Sequence, residues 1–268
     1  MSANPDNRPP QETRLAAREP GEPAAVDITI PVYNEQAALP GTIAVLTEVL
    51  RDNLSNPWRI VIADNASTDD TRAVSETLCQ RHSQVDYLRI PQKGRGRALR
   101  TAWLSSQADI VSYMDADLST DLSHFPQLIQ RIESGYHIAI GSRLSRESEV
   151  SRGFKREFIS RGYNLLINSM FFTGLPDAQC GFKALTRAAA EAIVPRIKNN
   201  NWFFDTELLI IAAKRGFSIA SVPVKWQDDP TSTVNIAGTA MEDLKGLLRL
   251  RFGGVPRVEV PAPASLLQ

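Results

Sequence analysis

The sequence has few cysteines and no long hydrophobic run. Only Cys79 and Cys180 occur in 268 residues, without CxxC spacing, which argues against a disulfide framework or a cysteine zinc site. No stretch approaches the ~18 consecutive apolar residues of a membrane-spanning helix. Residues 1–25 are polar and proline-rich and do not form a hydrophobic signal core. We therefore expect a chain in a reducing, cytoplasmic setting that is neither inserted into a membrane nor exported.

The sequence also lacks an excess of either charge. Thirty Lys and Arg residues balance thirty Asp and Glu residues, so no global field favours nucleic acid, and we expect no nucleic-acid partner. The composition, 43% hydrophobic and 22% charged, is that of an ordinary globular enzyme. Residues 1–25 and 253–268 contain little that could pack. We predict a disordered N-terminal tail and a flexible C-terminal tail around one domain at 26–252.

The first half of the chain alternates short β-branched runs with longer amphipathic stretches, which is typical of βαβ units on a mostly parallel sheet. The second half continues with two helices and one more strand between longer helical stretches. We predict strands near 27–33, 58–64, 85–90, 109–114, 137–141 and 218–224, and helices near 37–53, 69–82, 93–106, 123–133, 153–173, 187–196, 203–215 and 237–252. This pattern predicts a single Rossmann-like α/β domain whose central sheet is flanked by helices.

Polar clusters follow four of these segments. Right-handed crossovers align the carboxyl ends of parallel strands, and ligands of open α/β sheets bind at those ends. We therefore expect the four clusters to converge on one crevice. They are Tyr33-Asn34-Glu35, Asp64-Asn65, Lys93-Gly94 and Asp115-Ala116-Asp117.

The Asp115-Ala116-Asp117 cluster places two carboxylates at the end of an apolar run. Such a pair suits Mg²⁺ or Mn²⁺, because a hard cation accepts carboxylate oxygens and leaves positions for phosphates and water. A bare Asp-x-Asp is more often a polar turn, and that alternative stays open on the sequence alone.

Two further clusters have alternatives of the same kind. Residues 93–98 open a helical pattern, so backbone donors and basic side chains there could face a diphosphate, or form a basic surface turn. Asp64 could accept hydrogen bonds from a nucleotide base, or cap the next helix through the Asp64–Asp69 turn.

Taken together, five ordered motifs resemble those of family 2 glycosyltransferases, and later motifs resemble the dolichol- and polyprenyl-phosphate glucose and mannose synthases within that family. The wording Gln179-Cys180-Gly181-Phe182-Lys183 is nearer to the glucose branch. The first set comprises Pro31–Glu35, Asp64–Asp69, Lys93–Gly96, Asp115–Ser119 and Gly141–Arg143; the second comprises Phe154–Arg156, Ile159–Arg161, Asp177–Lys183, Phe204–Glu207 and Val222–Trp226. The resemblance covers about residues 27–250 and implies a GT-A-type fold.

The resemblance also implies roles for particular residues. Asp115 and Asp117 would hold Mg²⁺ or Mn²⁺, and Asp117 would act with Arg143, Arg156 and Ser160, which would grip an acceptor phosphate. Two departures from the family pattern, Ser119 in place of a Gln and Thr233 in place of a Lys, put one metal contact and one phosphate contact in doubt. The donor, a UDP- or GDP-linked sugar, would lie against Pro31, Tyr33, Glu35, Asp64, Asn65, Lys93 and Asp115.

The implied reaction is inverting transfer of a hexose to a polyprenyl phosphate. This acceptor is already an anion, so it needs positioning and charge neutralisation more than a strong base. If the acceptor were a soluble hydroxyl, which is the main alternative, Asp205 or Glu207 would be the candidate base. A third reading is an inactive protein that only binds nucleotide sugars.

A lipid acceptor requires a membrane surface. The stretch Phe158–Phe172 mixes aromatic and aliphatic residues with basic ones, and the stretch 237–252 has a similar character. Either could form an interfacial helix or pack its apolar face on the core. We expect peripheral association with the cytoplasmic face of a membrane.

Overall fold

The computed structural model describes residues 22–151, 154–227 and 236–262, and for residues 152–156 and 228–237 it carries no side-chain description. Residues 1–21 and 263–268 lie outside the described part. The tails predicted there therefore stay predictions. Thr233 also lies outside the described residues, so the missing phosphate contact at this position stays a prediction.

Seven strands form the central sheet in the order β3-β2-β1-β4-β7-β5-β8, and β6 pairs with β9 in a small second sheet. All pairings in the large sheet are parallel except those of β7, which runs antiparallel to both β4 and β5. The strands are β1 Val26–Val32, β2 Trp58–Asn65, β3 Val85–Ile90, β4 Ile110–Met114, β5 Ile138–Ser142, β6 Glu149–Ser151, β7 Phe182–Thr186, β8 Ile219–Pro223 and β9 Lys225–Gln227.

Helices cover both faces of this sheet. They are α1 Leu39–Asn53, α2 Thr71–Arg81, α3 Arg95–Ser105, α4 Phe125–Glu133, α5 Phe154–Phe171, α6 Arg187–Ile193, α7 Phe203–Arg215 and α8 Ile236–Gly253, with short 3₁₀ turns at Leu122–His124 and Val194–Arg196. The predicted mostly parallel sheet with flanking helices is confirmed.

Strand β7 is absent from the sequence prediction, which has a loop that ends at Lys183 and a helix from 187. The strand is only five residues long, and a lysine at its second position interrupts the apolar pattern. All five residues are nevertheless buried, Lys183 included. The three-residue strands β6 and β9 were also missed, since segments this short carry little periodicity.

Two large apolar clusters and a small third one, in which β2 and β3 meet α3, build the core. The first packs α1, α2 and α4 against the sheet through residues such as Leu46, Leu78 and Leu128. The second gathers α3, α5, α6, α7 and α8 around Trp103 and Phe204. Burial of large side chains of this kind contributes about 1.5–3 kcal/mol each, so both helical layers fix the strand ends that carry the polar clusters.

The segment after α8 packs on the domain. The guanidinium of Arg215 donates to the carbonyls of Val255 and Pro256, and His137 Nε2 lies 3.0 Å from the carbonyl oxygen of Pro261. Val255 also packs against the second apolar cluster. The first part of the predicted flexible tail therefore has defined contacts, which its proline-rich composition did not indicate.

None of the helices in the described ranges has both the length and the apolar character to cross a membrane.

Candidate active site

Hydrogen bonds from Asn65 join three of the predicted clusters. Its Nδ2 donates to the carbonyl of Val32 at 2.6 Å, and its Oδ1 accepts from the amide of Gly94 at 3.1 Å. The side chain is 8% exposed. Asn65 thus ties the ends of β1 and β2 to the start of α3, and the expected convergence of these segments is observed.

The loops at this edge carry left-handed backbone. In the described part of the chain four non-glycine residues have positive φ, and three of them follow β1, β2 and β4. These are Asn34 at 57°, Ala66 at 67° and Leu118 at 50°. Such conformations cost about 1–3 kcal/mol each and cluster at functional sites, where the surrounding structure holds them. Asn34 is held by a hydrogen bond from its amide to Ser67 Oγ, 2.9 Å.

Tyr33 and Lys93 form an exposed pair at the mouth of the crevice. Lys93 Nζ lies 4.0 Å from the centroid of the Tyr33 ring, and the hydrogen bond with Lys93 lowers the pKa of Tyr33. Nearby, the amide of Glu35 donates to Thr71 Oγ1 at 2.9 Å, and Pro31 is half-buried at the end of β1. An aromatic ring beside an ammonium group can contact both the base and the phosphates of a nucleotide.

Asp64 is fully buried and makes its contacts within the protein. Oδ1 accepts from the amide of Ser67 at 2.8 Å, while Oδ2 accepts from Tyr87 Oη at 2.7 Å and Arg89 Nη1 at 3.2 Å. Asp64 therefore caps the turn at Ser67 but not helix α2, whose N-cap residue Asp70 makes no side-chain capping bond. A nucleotide base would have to share this carboxylate with Tyr87 and Arg89.

The start of α3 is covered by a neighbouring loop. The amide of Arg97 donates to the carbonyl of Asn200 at 3.0 Å, and a Cβ on Gly94 would lie 2.5 Å from the same oxygen. With the Gly94 amide bonded to Asn65, these backbone donors are engaged inside the protein. Two of the amides considered for a diphosphate are thus unavailable to it, whereas the Lys93 side chain is exposed.

Asp115 and Asp117 line a solvent-open cleft of about 210 Å³. Asp117 is exposed, and its Oδ1 accepts from the amide of Ser119 at 3.0 Å, whereas the Asp115 side chain is 41% exposed. Among the described residues, no group of three or more His, Cys, Asp or Glu side chains is arranged to hold a metal. The cleft is lined by Met114, Asp115, Asp117, Ser119, Gly181 and Trp226. Leu118, Thr120 and Leu122, which follow β4, complete the lining.

A buried ionic network lies behind Asp115. Arg95 donates from Nη2 to Asp115 Oδ1 at 2.7 Å and from Nη1 to Asp205 Oδ2 at 2.6 Å. Asp205 Oδ1 in turn accepts from Tyr113 Oη at 2.5 Å and lies 3.0 Å from Lys183 Nζ. Burial opposes ionisation of Asp205, yet Lys183 and Arg95 outweigh it and hold its pKa below the usual range. Arg95, one of the basic side chains for which the sequence left a diphosphate contact or a surface turn open, points into this network.

Arg143 forms a buried pair with Asp177. Its Nε and Nη2 donate to the two carboxylate oxygens at 2.8 and 3.0 Å, and its guanidinium carbon lies 5.7 Å from the centroid of the Trp226 ring. Burial opposes ionisation of Asp177, but Arg143 lowers the pKa of this carboxyl below its usual range. Arg143 is therefore next to the cleft, with two of its nitrogens committed to Asp177.

The other predicted acceptor residues belong to α5. Ser160 is half-buried there, and the side chain of Arg156 lies outside the described residues. One turn from Ser160, Asn164 donates to the carbonyls of Leu175 and Pro176 at 2.9 and 3.0 Å. The loop that contains these two residues continues into Asp177, so it links α5 to Arg143.

Glu207 is a second buried carboxylate on α7. Its two oxygens accept from the amides of Lys198 and Asn199 at 3.1 and 3.0 Å, and Oε2 also accepts from Arg249 at 2.7 Å. Its side chain has no exposed surface. Glu207 thus fixes the loop that carries Trp202, whose ring lies 5.0 Å from the guanidinium of Arg95.

Sequence reasoning missed the parts of this site that lie behind the cleft. The roles of Arg95, Asp177 and Lys183 depend on partners that are remote in the sequence. The partners of Arg95 and Asp177 lie between 20 and 110 positions away. A lysine inside the otherwise apolar run Phe182–Thr186 was a signal, because a buried ammonium requires an acidic partner.

Comparisons with known proteins agree with this architecture. Residues 27–194 match the family model "Glycosyl transferase family 2". The chain is 32% identical to dolichyl-phosphate beta-glucosyltransferase ALG5D of Trichomonas vaginalis over 80% of this chain and 69% of that protein. It is 33% identical to glycosyltransferase AglD of Haloferax volcanii over 85% of this chain, and spans 37% of that protein's length.

A solved structure shows the same fold. Glucosyl-3-phosphoglycerate synthase of Mycobacterium tuberculosis, in complex with Mn²⁺, UDP and glucosyl-3-phosphoglycerate, superposes with a TM-score of 0.64 at 18% identity, covering 87% of this chain and 81% of that one. The family match spans the strand-end loops that meet in the crevice, from Tyr33 to Asp117, and continues through β7. The chain belongs to glycosyl transferase family 2.

Proposed function

We propose that this protein transfers a hexose, with inversion, from a nucleotide diphosphate sugar to a polyprenyl phosphate of the dolichyl type. The names of its relatives, dolichyl-phosphate beta-glucosyltransferases from several eukaryotes, make glucose the first sugar to test. UDP- and GDP-linked donors both remain to be compared.

The observation that carries this proposal is the state of the two carboxylates on α7. Asp205 is bonded to Arg95, Lys183 and Tyr113, and Glu207 has no exposed surface. A general base must reach the proton that it removes and must accept it at the working pH. Neither Asp205 nor Glu207 meets both conditions, so neither is supported as the general base for a hydroxyl acceptor. A phosphate acceptor is already ionised and requires no such base.

The residues at the cleft fit a divalent cation. Asp115 and Asp117 supply carboxylate oxygens at a solvent-open site, and two such side chains leave positions for diphosphate oxygens and water, as Mg²⁺ requires. Mn²⁺ and Mg²⁺ are present in complexes of the structurally similar synthase. A cation held by this pair would neutralise charge on the departing diphosphate.

The protein's own residues would position the two substrates. We place the nucleotide against the exposed Tyr33–Lys93 pair, beside Pro31 and Glu35. On the acceptor side, Arg143 with Arg156 and Ser160 would neutralise and orient the phosphate for attack from the face opposite the diphosphate. Because Asp177 already holds two nitrogens of Arg143 in place, this guanidinium is preorganised, which is how an enzyme lowers the cost of binding a charged group.

The surface of α5 supports a membrane location for the acceptor. One side of this helix packs in the core through Ile167 and Phe171, while the opposite side leaves Phe158 at 71% and Leu165 at 70% exposed. Phe172 directly after α5 is 83% exposed. Helix α8 also exposes Met241, Leu244, Leu248 and Phe252. Exposed apolar side chains on two helices near basic residues suit peripheral binding to a lipid surface.

The test is a matrix of nucleotide sugars against a polyprenyl phosphate and soluble alcohols, with and without chelator. We expect transfer to the polyprenyl phosphate, loss of transfer in chelator, recovery with Mn²⁺ or Mg²⁺, and inverted anomeric configuration in the product by NMR. Transfer to soluble alcohols alone would favour the alternative acceptor. Binding of nucleotide sugars without turnover on any acceptor would identify an inactive binding protein.

A further inference from the structure

Three buried side chains connect β7, β4 and α7 to the cleft carboxylate Asp115. Lys183 and Tyr113 have no exposed surface, and Asp205 is 3% exposed. Lys183 Nζ contacts the carbonyl oxygen of Cys180, Tyr113 Oη at 3.2 Å and Asp205 Oδ1 at 3.0 Å. Arg95 then bridges Asp205 to Asp115, contacting only Oδ1 of the latter.

The bonding pattern leaves the two oxygens of Asp115 in different environments. Oδ1 accepts two hydrogen bonds from Arg95, at 2.7 and 3.3 Å, whereas Oδ2 lies against Gly181, which also lines the cleft. Two charge-assisted N–H donors of one guanidinium converge on Oδ1 and fix the position of this oxygen, while Oδ2 accepts nothing from Arg95. The network thus orients Asp115 so that Oδ2 lies toward the cleft.

The charges in this network balance in pairs. Lys183 and Arg95 are cations, and Asp205 and Asp115 are anions; Lys183 and Asp205 are buried, and the Arg95 side chain is only 10% exposed. If the negative charge of Asp205 were removed, two buried cations would share the single carboxylate of Asp115. Arg95 would then hold Asp115 more strongly, and the local potential would turn positive where a divalent cation has to bind.

We propose that Asp205 is a positioning residue that sets the cation affinity of Asp115 through Arg95, without touching the cation, the donor or the acceptor. This inference rests on the metal site of the proposed function. In this role Asp205 does not act as a general base. The lowered pKa of its carboxyl is consistent with this role, since the network needs Asp205 ionised.

The direct test is Asp205→Asn in the full chain, with Mn²⁺ affinity measured by the EPR signal of free Mn²⁺, with and without UDP. Asparagine keeps the size of the side chain and can still accept from Tyr113. Substituting residues that orient metal ligands typically weakens metal binding by about 10–100-fold, and we expect a loss in that range. Wild-type Mn²⁺ affinity in the variant would overturn the proposal.

Glu207→Gln provides a matched control. This residue lies on the same helix, is also buried and also pairs with an arginine, but its hydrogen bonds lead to Lys198, Asn199 and Arg249 and not to Asp115. We expect its Mn²⁺ affinity to stay within about threefold of the wild type. Equal weakening in both variants would show a general effect of losing a buried ion pair, and would also overturn the proposal.

Rescue separates charge balance from folding. The double variant Asp205→Asn with Lys183→Met removes one cation together with one anion, and methionine suits the apolar surroundings of β7. If the network acts on Asp115 through charge, Mn²⁺ affinity recovers to within about threefold of the wild type, even if the melting temperature stays low. Affinity that falls further in the double variant would refute the proposal. A wild-type protein that binds no Mn²⁺ would instead remove the metal site of the proposed function.

Discussion

Gly181→Ala should displace Asp115 with little other change. A Cβ at this position would lie 1.8 Å from Oδ2 and 2.6 Å from Cγ of Asp115. Non-bonded atoms of this kind normally stay about 3.5 Å apart, so the carboxylate has to move by roughly 1.5 Å. The side chain is 41% exposed and can move into the cleft, but only by loosening its contact with Arg95.

The expected cost falls on catalysis and not on folding. A misplacement of about 1 Å in a catalytic group can cost about 100-fold in rate, which corresponds to about 2.7 kcal/mol of transition-state stabilisation. We expect kcat for hexose transfer to fall by about that factor, while the free energy of unfolding changes by no more than about 1–2 kcal/mol. Steady-state kinetics with a polyprenyl phosphate acceptor and denaturant melts measure the two quantities.

Gly41→Ala is the matched control for this prediction. Gly41 lies in the first turn of α1, and a Cβ there would meet nothing within 4 Å. Alanine in place of a helical glycine should leave kcat unchanged and stabilise the fold by about 0.5–1 kcal/mol. A kcat of Gly181→Ala within threefold of the wild type, or an activity that falls only in proportion to the fraction unfolded, would contradict a displaced Asp115.

Four further predictions concern the metal, the acceptor, the membrane and pH. Asp117→Ala should abolish transfer with an unchanged melting temperature, and near-normal turnover at saturating substrate would remove the metal assignment. Arg156→Ala should raise the KM for polyprenyl phosphate about tenfold or more while calorimetric binding of the nucleotide sugar stays the same; equal weakening of both would indicate misfolding. Leu165→Glu should reduce sedimentation with anionic lipid vesicles, whereas Val45→Glu on α1, 49% exposed in the wild type, should not; equal binding by both variants would contradict the interfacial role of α5. Burial raises the pKa of Asp243 on α8 to about 6, so ionisation of this carboxyl destabilises the fold as pH rises through that value. Asp243→Asn should therefore add about 1–2 kcal/mol to the free energy of unfolding at pH 7.5 but nothing near pH 4. The same gain at both pH values would exclude ionisation of Asp243 as its cause.

Several features of the site could be predicted because they are local. The apolar run before Asp115 and the turn residues after β2 show where strands end, and parallel topology brings strand ends to one edge of a sheet. The cleft position of Asp117 and the exposed position of Lys93 are as expected from this reasoning. The same pattern gave Asp64 two alternatives but no sign of its bonds to Tyr87 and Arg89, which come from the neighbouring strand β3.

Other features depend on contacts that no local pattern encodes. From residue type alone, Asp205 could act as a general base and Arg95 could bind a phosphate. Their environments decided otherwise, since the insertion of β7 between β4 and β5 brings the ammonium of Lys183 to a carboxylate on α7.

The sequence by itself determined the α/β class, the parallel strand ends and the residue types available at the crevice, because periodicity and residue chemistry are properties of short segments. Only the tertiary structure decided which charges are paired, since burial and distance between remote residues set the strength of an electrostatic contact. That pairing leaves Asp115 and Asp117 at the cleft, while it holds Asp205 and Glu207 inside the fold.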